Sequence, residues 1–174
     1  MKLSMQTMAA DSFVPMLESL SHWIDMGAAH AEAAALDLVN ARLAPDMYTL
    51  AQQAQQACHH ARDGVSRLTG GPTVSMGDVE ETLPALERQI AATIAFVRAV
   101  APSAYEGAED RDCSIPLPDG RVIAMTGVIY LRAWALPHFY FHVATAYDIL
   151  RHRGVVLGKQ DYLRQVGALI RPQK

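Results

Sequence analysis

Cysteine is scarce in this chain of 174 residues. Cys58 and Cys113 are the only two, they form no CxxC pair, and no disulfide ladder is expected. A reducing cytoplasm is therefore the expected setting. Basic clusters are missing as well. The net charge is −3, and no Lys/Arg patch or stripe of the kind that marks a nucleic-acid surface is present, so no nucleic-acid partner is expected. No apolar run approaches the roughly 18 residues of a membrane span, and the opening MKLSMQTMAADSF lacks the continuous apolar core of a secretory signal. Neither a membrane partner nor a membrane anchor is expected. Repeats, low-complexity tracts and linkers are absent too, which leaves one domain over 1–174. What remains is an ordinary globular composition, 51% hydrophobic and 19% charged, in a chain long enough to bury a proper core.

The hydrophobic pattern is helical almost throughout. Phe13, Met16, Leu17, Leu20, Trp23 and Ile24 recur at helical spacing and predict a first helix from about 3 to 38. Pro15 marks either its true first turn, with Ser12 as cap, or a kink. A second helix is expected from about Pro45 or Asp46 to Leu68. Its apolar face carries Leu50, Ala54, Ala57, Cys58, Ala61 and Val65, and its opposite, solvated face carries Gln52, Gln55, Gln56, His59 and His60. On that reading Asp46 is a first-turn acid that complements the helix dipole. A third helix is expected from near Asp78, with Glu81 as a capping-box acid, or from Thr82 because of Pro84, to about Val100. Residues 103–125 are the one long non-helical stretch, and Pro118-Asp119-Gly120 inside it reads as the turn of a small hairpin that must lean on the helices. A short helix over 127–135 then leads into Pro137.

The most informative stretch is LPHFYFHVATAYDILRHRGVVLGKQDYL, residues 136–163. Its helix is expected to stop at Gly154, a natural residue for the left-handed turn after a C-terminus. Phe139, Val143, Ala146 and Leu150 form the apolar stripe, and His138 and His142, four apart, stand one turn from each other on one edge of it. Such a pair can hold a metal. The plainer alternative is a hydrogen-bonded core His142 with His138 at a helix start. Tyr147 and His152 are further candidates, although Tyr147 also fits a core position and His152 a dipole-complementing place at a helix C-terminus. Cys58 reads as a small core hydrophobe.

Arg42-Leu43-Ala44-Pro45-Asp46-Met47, Phe141-His142, and Tyr147-x-x-Leu150-Arg151-His152 followed by Gly158-Lys159 resemble the DinB/YfiT-like superfamily. More narrowly, they resemble a bacterial branch of it known as a domain of unknown function. The resemblance implies an all-α, up-down-down-up four-helix bundle, with a small β-hairpin insertion before the last long helix, that pairs as a homodimer. Metal-binding members of the superfamily use one histidine from the start of the second long helix and an HxxxH pair from the last. Transferred here, the ligands become Asp46, His138 and His142, with Asp46 standing where the first histidine is expected. The branch usually carries asparagine where this chain has His138. A divalent ion (Zn, Ni, Mn or Fe) and a transferase or hydrolase acting on an unknown small molecule are what this implies. The alternative is a non-catalytic dimeric binding or stress-related module without a metal.

Overall fold

The structure is a computed structural model that describes residues 4–80 and 82–171. Helix α1, Met5–Ala34, begins at the cap Ser4, whose hydroxyl accepts the Thr7 N–H at 3.1 Å. It continues through Pro15, so the alternative start there is not taken. Pro15 lies inside the helix, Ser12 bonds back to the Met8 carbonyl rather than capping, and Ser19 bonds the Pro15 carbonyl at 3.0 Å. The apolar positions on both sides of Pro15 share one buried face, and their packing outweighs the loss of a single backbone hydrogen bond.

Helix α2, Leu50–Thr69, starts later than the sequence suggested. Thr49 and Gln52 form a reciprocal capping box at 3.2 and 2.9 Å, which satisfies two N–H groups that nothing around Pro45 could. Asp46 is consequently outside the helix, exposed in the preceding turn, and no longer beside the helix dipole. Helix α3, Leu83–Ala99, takes the later of its two expected starts, with Thr82 capping Ala85. Glu81 lies outside the described residues. Among the described residues, 35–49 and 70–80 thus join 100–126 as long stretches outside the α-helices.

The segment after α2 doubles back along it. The Ser66 hydroxyl reaches the Pro72 carbonyl, and further along Gln55 reaches the carbonyls of Gly77 and Asp78. This return delivers the chain to the start of α2, so α3 runs parallel to α2. Helix α3 opposes α1, since Arg98 pairs with Glu18 while Glu87 lies near His22 and Asp25. The last long helix, α5, Leu136–His152, runs with α1: Phe13 meets Phe139 at 4.9 Å, and Gly27 meets Leu150 a further three turns along. Up-down-down-up topology follows, and the buried apolar side chains of all four helices form one cluster.

The insertion before α5 carries β1, Ile115–Pro116, paired antiparallel with β2, Val122–Ile123. Gly120 supplies the positive φ of the turn, at +83°. As expected, the hairpin leans on the helices: Ile115 and Ile123 pack against the core, and just before it Arg111 bonds the Leu68 carbonyl and the Cys113 thiol points to the Arg67 carbonyl. Helix α4, Gly127–Tyr130, then passes through one π-helical turn, Leu131–Ala135, directly into α5. Pro137 has no N–H and would crowd the carbonyl of Ala133, and the wider turn just before it relieves that conflict. Helix α5 ends as expected. Gly154 takes φ +90°, and the N–H groups of Gly154 and Val155 return to Arg151 and Leu150 at 3.1 and 3.0 Å. Helix α6, Lys159–Tyr162, folds back so that Tyr162 stacks on Trp23 at 5.4 Å. Among the described residues no helix is long and apolar enough to cross a membrane.

Candidate metal centre

Helices α2 and α5 are antiparallel neighbours, and the side chains at the rims of their apolar stripes flank one groove. On α2 those rim positions are Gln53 and His60, seven residues or about two turns apart, and therefore at nearly the same azimuth. On α5 they are His138 and His142. Going opposite ways, the helices bring Gln53 to His142 and His60 to His138. The His60 and His138 rings have centroids 4.8 Å apart, and those of His60 and His142 are 5.5 Å apart and nearly parallel, at 9°. One nitrogen from each of the three rings lies within 4.8 Å of the others.

His60 was expected to face solvent, and here it does not. It is half-buried, and Gln53, Gln55 and Gln56 beside it are buried. The supposed polar face of α2 is covered by α5 on one side and by the returning segment 71–80 on the other. That segment satisfies Gln55 with the backbone carbonyls of Gly77 and Asp78 and Gln56 with the Met76 sulfur. Gln53, Tyr48 and His60 were all missed as site residues. The available signal was the seven-residue spacing of Gln53 and His60.

Asp46 does not belong to the group of converging ligand atoms; it is exposed in the turn before α2. His138 and His142 are brought together. Tyr147 packs edge-on against Trp23 at 5.3 Å, and His152 is exposed at the last residue of α5, so neither joins the cluster. Cys58 is buried, and burial pushes its thiol up to about 11, which leaves it an inert core residue.

The chemistry of the three rings suits metal ligation. His142 Nδ1 lies 2.7 Å from Gln53 Oε1, an atom that can only accept, so Nδ1 carries the proton and Nε2 keeps a free lone pair. The Gln53 amide nitrogen turns the other way, toward the Tyr48 carbonyl. A partner of this kind is what orients a metal-binding histidine and fixes its tautomer. Burial pushes His60 down to about 3, with His138 and His142 adding to the effect, and burial with His138 beside it takes His142 to about 4. Both rings are therefore neutral at pH 7, the form that binds a cation. Zinc bonds imidazole nitrogen at about 2.1 Å, which sets tetrahedral ligand nitrogens about 3.4 Å apart. From a spread of 4.8 Å, side-chain movements of about 1 Å close the set. The three residues fit a divalent ion.

The cluster opens into a cleft of about 620 Å3, lined also by Tyr48, Gln56, Met76, Pro137 and Phe141. Trp134 tilts onto His138 from the side, at 4.6 Å. Among the described residues no carboxylate lines the cleft.

A four-helix bundle of up-down-down-up topology with a histidine triad between its second and last long helices defines the class. Residues 5–163 match the family described as a domain of unknown function (DUF1993), and the chain belongs to that family, a branch of the DinB-like superfamily. It is similar to a crystallised DinB family member protein from Shewanella denitrificans. The two are 34% identical, with a TM-score of 0.81, over 97% of this chain and 94% of that one. No curated protein matches the sequence.

Proposed function

We propose that this chain holds a divalent metal through His60, His138 and His142 and acts as a metal-dependent transferase on a small molecule that enters the neighbouring cleft. The observation that carries the reading is the convergence of three ring nitrogens, one of them on a ring already oriented by Gln53. Three imidazoles suit zinc, iron or nickel better than the hard cations that prefer oxygen. Such an ion acts as a Lewis acid that lowers the pKa of a water or thiol joining it.

The chain's own contribution is placement. His142 is held in its ligating tautomer by Gln53, His60 is kept neutral by burial, and Trp134 packs against His138. Because no acidic side chain among the described residues lines the cleft, it offers no carboxylate base for water. That favours transfer to a nucleophile such as a thiol, which gives up its proton readily, over hydrolysis.

The test is metal content. Protein purified without a histidine tag should carry near one equivalent of divalent metal per chain. His60→Ala and His142→Ala should lose it, His138→Asn should lose most of it, and Asp46→Asn should keep it. Loss in Asp46→Asn with retention in His60→Ala would move the site to the loop before α2. Protein that stays metal-free in excess divalent ion would leave the triad structural and the non-catalytic reading standing.

A further inference from the structure

The walls of the cleft say what kind of molecule belongs in it. Tyr48 and Phe141 are 48% and 58% exposed, unusually open for large rings, and both flank His142. The Tyr48 ring lies roughly parallel to His142, at 27° and 6.2 Å, while Phe141 meets it edge-on, at 81° and 5.2 Å. Pro137 and Met76 complete an apolar rim. Among the described residues no Asp, Glu, Lys or Arg lines the cleft. Gln56, a polar side chain on the wall, has its amide N–H engaged by the Met76 sulfur at 3.1 Å. In the metal-free protein a carboxylate or phosphate entering here finds no charged side chain among the described residues to pair with, so its desolvation goes uncompensated. A flat ring finds one parallel and one edge-on aromatic partner, the two arrangements that aromatic rings prefer. The volume of about 620 Å3 is in the range of small-molecule sites.

We propose that the walls of the cleft between Tyr48 and Phe141, apart from any ion on the histidines, select an uncharged aromatic group, laid against His142 with its edge toward the three histidines. This deepens the metal-centre reading and rests on it for the choice of site, but its own evidence is the wall.

The metal-free protein is titrated calorimetrically with 2-naphthol, its anionic counterpart 2-naphthoate, and its saturated counterpart 2-decalol. Naphthol should bind about tenfold or more tighter than naphthoate, which lacks a cationic partner. It should bind about threefold or more tighter than decalol, which cannot stack. Tyr48→Ala and Phe141→Ala remove exposed rings that the core does not need, and each should weaken naphthol several-fold while leaving the melting temperature unchanged. Naphthoate binding as tightly as naphthol overturns the proposal, as does equal binding of decalol, indifference to both substitutions, or no naphthol binding at all. A parallel Co(II) titration, read by its visible absorption, keeps the two readings apart. Failure to take up Co(II) removes the metal centre, and the naphthol result still decides what the cleft accepts.

Discussion

Gln53 offers the sharpest perturbation of the proposed centre, because it touches the site without being a ligand. Its side chain is 1% exposed, and it accepts the His142 Nδ1–H at 2.7 Å. Gln53→Met keeps the length of the side chain and removes both polar atoms. In the metal-free protein this leaves one buried N–H without a partner, which costs about 1–3 kcal/mol of stability. Metal affinity should fall as well, since the ring is then free to protonate Nε2 and turn away. Loss of such an orienting partner usually lowers affinity about 10–100-fold, or roughly 1.4–2.7 kcal/mol. Gln53→Glu is the control, because a carboxylate still accepts from Nδ1 and makes the ring a better donor. Competition for Zn(II) against a chromogenic chelator measures the affinity, with near-UV circular dichroism showing that each variant is folded. If Gln53→Met binds metal within twofold of the parent, His142 either is not a ligand or is not oriented through Gln53.

Acid should destabilise the metal-free protein earlier than its carboxylates alone would. His60 and His142 are depressed to about 3 and about 4, while an unfolded histidine titrates near 6.5. Below about 6.5 the unfolded chain gains protons that the folded chain refuses, so stability falls with pH through that window and is unaffected by these groups above it. Urea midpoints from pH 7.5 to 5 should show the decline, and His60→Gln should flatten it; equal slopes would refute burial of the neutral ring. Tyr130, fully buried, donates to Asp63 at 3.1 Å, and Asp63 also pairs with Arg67 at 2.6 Å. Tyr130→Phe should cost about 1 kcal/mol and Asp63→Ala about 3, because it strands two partners at once; a smaller loss for Asp63→Ala than for Tyr130→Phe in urea unfolding would contradict the network. Light scattering should give a mass near twice 19.0 kDa if the chain pairs as its superfamily resemblance implies, and a monomer at micromolar concentration would reject pairing.

The helices were legible because their apolar residues repeat at 3.6, and the end of α5 was legible because Gly154 can take a positive φ at no steric cost. The hairpin was legible through Pro118-Asp119-Gly120. Of the two readings of Pro15, the first-turn one fails because the apolar positions before it pack on the same face as those after it and carry the helix through. The start of α2 was misplaced because Pro45 looked like a first-turn residue, while the capping pair Thr49 and Gln52 went unread. That error also put Asp46 on the helix. Half of the site, His138 and His142, could be found from one helix alone. The other half could not. Whether Gln53 and His60 face water or a partner depends on which helix lies alongside and on the path of 71–80, and both are set by topology rather than by local pattern.

X-ray absorption at the zinc edge of the Zn(II)-loaded protein tests the proposed centre most directly. A centre built from His60, His138 and His142 predicts a fine structure fitted by about three imidazole nitrogens near 2.0–2.1 Å, falling to about two in His60→Ala. Two imidazoles with a carboxylate in the parent protein, unchanged by His60→Ala and altered by Asp46→Asn, would contradict it.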